Sequence, residues 1–148
     1  MDKLALIAHR GNTSGINHEL ENKKSYLNDA LMQGYWIECD VQMYKEKLYL
    51  GHDEPQEQVD EIIMNPHTIC HAKDLDSIVR LNQIKAHAFW HETDRLTITN
   101  RGFFWCYPGV HVTSPNAIWL DLLNRSIPKN TSGIFGICSD NFSLSGLV

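Results

Sequence analysis

The chain has 148 residues, 43% of them hydrophobic and 21% charged, and a net charge of −5. That length fits one domain, 1–148, with a core large enough to stand without disulfides or metal staples. An acidic chain with no Lys/Arg-rich run lacks the electrostatic footprint of a nucleic-acid binder, and it would repel a phosphate ligand unless local cations offset the field.

The first predicted element is a buried strand over 4–8, "LALIA". A polar loop follows, and the apolar spacing of Tyr26, Leu27, Ala30 and Leu31 predicts a helix over 23–33, stopped by Gly34. Strands are predicted over 35–43 and 47–51, then a short helix over 56–64 that Pro66 ends. A strand over 68–72 leads into a helix capped by Asp74 or Asp76, with Leu75, Ile78 and Val79 on one face. The strand "AHAFWH", 86–91, completes a β-α-β pattern, the signature of a parallel sheet covered by helices. From Leu96 onward the pattern changes to short strands, "LTITN", "GFFWCYPG", "AIWLD" and "GIFGICSD", with at most one helical turn over 120–124.

Cys39, Cys70, Cys106 and Cys138 are dispersed in apolar, strand-like segments without a CxxC pair, as expected for buried free thiols in a reducing compartment. The start of the chain has no signal-peptide h-region, and no apolar run approaches the roughly 18 residues of a membrane span. The expectation is a soluble cytoplasmic protein with no membrane span and no nucleic-acid partner.

Polar residues gather where strands end. His9 and Arg10 end the first strand, His52 and Asp53 the third, and Asp140 the last; His71 and Lys73 share a face two residues apart. In parallel α/β sheets, ligands bind at these carboxyl ends. In "WIECDVQ", alternation puts Ile37, Cys39 and Val41 on one face and Trp36, Glu38, Asp40 and Gln42 on the other. Glu38 and Asp40 are then neighbours, about 6–7 Å apart along the backbone. Two carboxylates there either face solvent or share a cation that offsets their repulsion.

Residues 9–53 resemble the glycerophosphodiester phosphodiesterase family, within the PLC-like phosphodiesterase superfamily. The matching pieces are "HRG" (9–11), "EN" (21–22), the helix ending at Gly34, "ECD" (38–40) and "GHD" (51–53), in the family's order. "HAK" (71–73) sits where the family has Glu-x-Lys, and "GICSD" (136–140) is similar to its last-strand motif. The resemblance implies an α/β fold, a reduced TIM-type (β/α) barrel. Helices would lie mostly in the N-terminal half, with short strands and turns in the C-terminal half.

The resemblance also implies metal-dependent hydrolysis of a small-molecule phosphodiester, a glycerophosphodiester-like substrate, to an alcohol and glycerol phosphate. His9 and His52 would be the acid–base pair, since imidazole titrates near neutral pH. Arg10 and Lys73 would bind the substrate phosphate, and Glu38 and Asp40 would hold a divalent cation, Mg2+ or Ca2+ by analogy. His71 replaces the family's third ligand, a Glu, and an imidazole suits Mn2+ or Zn2+ better. The alternative is a non-catalytic phosphate- or sugar-phosphate-binding module that has kept the pocket but lost turnover. Glu21 and Asn22 would orient the site, with Asn22 equally suited to cap the following helix. Trp90, Trp105, Tyr107 and Trp119 read as core or as an aromatic wall; His87, His91, Glu92 and Asp94 read as a polar patch at the mouth. An incomplete barrel would bury its free edge by forming a homodimer.

Overall fold

A computed structural model describes residues 3–122 and 127–143. Nine strands form one sheet: β1 (Ala5–His9), β2 (Trp36–Tyr44), β3 (Lys47–Leu50), β4 (Thr68–Ala72), β5 (Ala88–Phe89), β6 (Leu96–Ile98), β7 (Phe104–Cys106), β8 (Ala117–Asp121) and β9 (Gly136–Ser139). Their order is β5-β4-β2-β1-β9-β8-β7-β6, and every neighbouring pair from β5 to β7 is parallel. β6 runs antiparallel to β7, and β3 pairs antiparallel with the far end of β2.

The two ends of this order come back together. The Asn100 amide donates to the Ala88 carbonyl at 2.9 Å, Asn100 Oδ1 accepts from the Ala88 amide at 2.9 Å, and Thr97 Oγ1 donates to the Trp90 carbonyl at 3.2 Å. The Phe89 and Trp105 rings meet across the same seam at 4.6 Å. The sheet is therefore a nearly closed barrel. The edge that motivates a homodimer is largely taken up by bonds within the chain.

Alternation sorts the two faces of the sheet. Ile7, Ile69, Phe89, Trp105, Ile118, Leu120 and Cys138 fill the interior. Ala8, Ile37, Cys39, Val41, Cys70 and Ala72 point outward, beneath α1 (Lys24–Met32) and α2 (Leu75–Gln83). These are the two α-helices among the described residues; α1 packs chiefly on β2, and α2 on β2, β4 and β5. Around β7 and β8 loops do the covering, and Trp119 Nε1 donates to the Val112 carbonyl at 2.8 Å. The result is a mixed α/β fold in which strands outnumber helices, without the ring of helices of a full (β/α) barrel. α1 lies in the N-terminal half, where the helices were expected, and α2 begins just past the midpoint of the chain. No helix of the described residues is long and apolar enough to cross a membrane, and all four cysteines are buried free thiols.

Local chemistry explains where elements begin. α1 carries Leu27 and Ala30 into the outer core, where burying a leucine is worth about 2 kcal/mol. α2 starts at a capping box: Asp74 accepts from the Ser77 amide at 2.7 Å, and Ser77 Oγ accepts from the Asp74 amide at 3.4 Å.

Four expectations are corrected. The helix over 56–64 is a single 3-10 turn, Glu61–Met64, because Gln56, Glu57 and Val59 bond to β3 instead. On α2, Leu75 and Val79 are 62% and 56% exposed, and Ile78 and Leu81 make the contact with the sheet. The strand over 86–91 shrinks to Ala88–Phe89. Leu120 and Asp121 belong to β8, and the rest of the turn over 120–124 lies partly outside the described residues.

Candidate active site

Parallel register brings the polar strand ends to one end of the barrel. His9 pairs with Glu38, and Asp40 pairs with His71. All four side chains fall on the interior face, the face that Ile7 and Ile69 share. Past β1 the chain turns sharply, with Arg10 and Gly11 at φ 56° and 89°. A Cβ at Gly11 would lie 2.8 Å from the Tyr26 ring, so the turn requires glycine on both counts.

His9 is held by the last strand. Its Nδ1 donates to Asp140 at 2.8 Å, which leaves Nε2 facing Glu38 at 3.8 Å. Asn12 ties Asp140 to Glu21, donating to Asp140 at 2.9 Å and to Glu21 at 2.7 Å. Asp40 is gripped from below: its amide donates to Asn22 Oδ1 and its Oδ2 accepts from Asn22 Nδ2, both at 2.9 Å. Asn22 is therefore not the helix cap; Lys23 occupies that position without a side-chain bond. The Arg10 guanidinium stands 2.9 Å from Asp40 and 3.4 Å from Glu21.

His71 completes the group. Its Nδ1 is 3.5 Å from Asp40 and 3.8 Å from Glu38, and one donor atom from each of the three residues lies within 4.8 Å of the others. The imidazole stacks on Phe89 at 4.6 Å and meets the His91 ring at 5.0 Å. His91 in turn lies 4.2 Å from the Tyr107 ring.

The charges divide along physical lines. Burial first, then repulsion from Asp40, pushes Glu38 up to about 7. Burial would raise Asp40 too, but the Arg10 charge above all, with the Asn22 hydrogen bond and Lys73, outweighs it and holds it below the usual carboxylate range. Burial would lower His9, yet Glu38 and Asp140 raise it. For His71, burial dominates over attraction to Asp40; with Lys73, His91 and His52 nearby it falls to about 3, leaving a neutral ring with a free lone pair. Burial, then the nearby Glu38, raises the Tyr107 phenol, which stays protonated as a hydrogen-bond donor.

The residues suit a cation. Glu38 and Asp40 are 1% and 0% exposed, and the buried Asp40 Oδ1 accepts no hydrogen bond. A buried carboxylate oxygen without a partner is costly, and a cation between Glu38, Asp40 and His71 removes that cost.

His52 is less deeply placed. It is brought to the same end because β3 folds back along β2, so that the Gly51 amide bonds to the Asp40 carbonyl at 3.0 Å. Its ring is 40% exposed and its Nδ1 donates to Asp53 at 2.8 Å; among the described residues it forms no ion pair with Glu38 or Asp40. Together with Arg10, His18, Glu21 and Asn22 it lines a cleft of about 610 Å³. Lys73, two residues beyond His71, is close enough for its charge to act on Asp40, His71 and His91.

Sequence reasoning did not give Asp140 and Asn12 their parts in fixing His9. Tyr107, expected as core or as an aromatic wall, packs against the inner core with its hydroxyl buried near Glu38 and without a hydrogen-bond partner. His87 does not join the mouth: it is buried against Phe103 with Nε2 2.8 Å from Thr99 Oγ1. Trp105 and Trp119 are core, on the inner and outer faces.

Comparison of the chain with protein-family models, with curated proteins and with solved structures gives no match.

Proposed function

We propose that this protein is a metal-dependent phosphodiesterase, built on a reduced TIM-type barrel, that hydrolyses a small glycerophosphodiester-like substrate. The observation that carries the reading is the meeting of His9, Glu38, Asp40 and His71 at the carboxyl ends of adjacent parallel strands, with Arg10 beside them. Such a reaction needs phosphate charge neutralised, one proton taken from the attacking oxygen and one delivered to the leaving oxygen.

Glu38, Asp40 and His71 hold the divalent cation, which when bound supplies Lewis-acid polarisation of the phosphoryl group. Arg10 offers a planar fork of donors to the phosphate and Lys73 a point charge. Both offset the field of a chain at −5. His9, locked by Asp140 through Nδ1, presents Nε2 to the reacting group. His52, at the rim of the cleft, handles the second proton from the solvent side.

The test is turnover of glycerophosphocholine by purified protein with Mn2+, Mg2+ or Ca2+. His9→Ala is expected to lower kcat by about 100-fold or more while the circular dichroism spectrum is unchanged. Unaltered turnover in that variant contradicts the assignment. The placement of His52, paired with Asp53 and 40% exposed, favours a second reading, a phosphate-binding module without turnover. Cation-dependent binding of glycerol phosphate with no product from any diester would select it.

A further inference from the structure

We propose that the Glu38–Asp40–His71 cradle is a mixed nitrogen–oxygen site that selects a transition-metal dication, Zn2+ or Mn2+, over Mg2+ and Ca2+. The inference rests on the reading of this cluster as the metal centre and adds which class of ion it takes.

Three observations support it. The first is donor type. Hard alkaline-earth ions bind through oxygen, with six to eight ligands for Ca2+. Here one of three donors is an imidazole nitrogen, and the two acids beside it are 1% and 0% exposed. Nitrogen donors favour the later first-row ions.

The second is orientation. His71 cannot easily turn away from the acids, because its ring is clamped between Phe89 at 4.6 Å and His91 at 5.0 Å. The two ring contacts hold the imidazole plane beside the acids, with Nδ1 3.5 Å from Asp40. Asp40 is fixed as well, by Asn22 on one side, and its other oxygen, Oδ1, is fully buried, without a hydrogen-bond partner, and points to that nitrogen.

The third is spacing. Bonds of about 2.0–2.2 Å place tetrahedral ligands roughly 3.3–3.6 Å apart. An octahedral Mg2+ at about 2.0–2.1 Å places neighbouring ligands only roughly 2.9 Å apart. The edges from His71 Nδ1 are 3.5 Å to Asp40 and 3.8 Å to Glu38, closer to the tetrahedral figure; Ca2+ bonds of about 2.3–2.6 Å would give a similar spacing, so the spacing argues against Mg2+ and the nitrogen donor against Ca2+.

The experiment uses the full chain, stripped of metal, and does not require turnover. Titration calorimetry with Zn2+, Mn2+, Mg2+ and Ca2+ is expected to give one site, with Zn2+ bound more tightly than Mn2+ and both at least about tenfold more tightly than Mg2+ or Ca2+. Pulsed electron paramagnetic resonance of the Mn2+-loaded protein should show coupling to an imidazole nitrogen, and His71→Asn should abolish it. His71→Glu, which restores an all-oxygen set, should narrow the Zn2+-to-Mg2+ preference by about tenfold. Mg2+ binding as tight as Mn2+, or absent nitrogen coupling in the unaltered protein, overturns the proposal even if both variants fail to fold. So does coupling that persists in folded His71→Asn. A protein that binds Zn2+ as described but cleaves no diester refutes the phosphodiesterase reading alone.

Discussion

Asn22 shows how much one residue contributes to the site. It sits at φ 66°, a left-handed conformation that asparagine tolerates better than most side chains, and it brackets Asp40 with two hydrogen bonds. Asn22→Ala removes both bonds and leaves a buried carboxylate less compensated. The expected loss is about 2–4 kcal/mol, read as a lower urea midpoint at constant slope. His87 gives a pH prediction away from the acids. Burial, then Arg101, lowers it from 6.5 to about 4. As pH falls from about 6.5 to 4, the unfolded chain takes up a proton that the folded chain refuses, so this group destabilises the fold progressively. His87→Gln cannot titrate. Its stability relative to the unaltered protein should therefore rise between pH 7 and pH 5 in urea titrations, and a constant difference contradicts the assignment. At this scale the sequence is partly legible. Alternation alone puts Glu38 and Asp40 on one face, and the structure agrees. The partnership of His9 with Asp140 spans 131 positions and depends on β9 lying beside β1, which no local pattern encodes.

Elements position the site through short connections whose geometry is demanding. Gly51 links β3 to His52 at φ 145°, and a Cβ there would stand 2.1 Å from the Glu54 carbonyl. Gly51→Ala must distort this turn. It is expected to cost roughly 1–3 kcal/mol and to lower turnover by moving His52. Thermal melts and initial rates check the two effects separately; a melt within 1 °C of the unaltered protein would show that the turn accommodates the methyl group. Strands and both α-helices were legible because buried apolar runs and capping chemistry are local signals, as in the Asp74–Ser77 box. The segment 56–64 misleads for an equally physical reason. Its apolar residues Val59, Ile62 and Ile63 do pack on the core, but their backbone is recruited by β3 before a helix can form. On α2 the apolar residues at Leu75 and Val79 satisfy the helical period yet face outward, since the sheet beneath needs only Ile78 and Leu81.

At the scale of the whole molecule, near-closure of a strand-rich sheet replaces the helical coat of a full (β/α) barrel. The closing bonds across Ala88, Trp90, Thr97 and Asn100 use side chains as much as backbone. This arrangement was not readable from composition or period, because it depends on how much the whole sheet curls. It brings the interior residues of β1, β2, β4 and β9 to one mouth in an otherwise acidic chain, where Arg10 and Lys73 supply the local positive charge. The central claim is that this mouth holds a cation and a phosphate together. Anomalous diffraction from crystals soaked with Mn2+ and inorganic phosphate tests it most directly. The account predicts one strong anomalous peak about 2.0–2.3 Å from oxygens of Glu38 and Asp40 and a nitrogen of His71, with phosphate between that ion, Arg10 and His9 Nε2. A peak elsewhere on the protein, or phosphate bound away from His9, contradicts it.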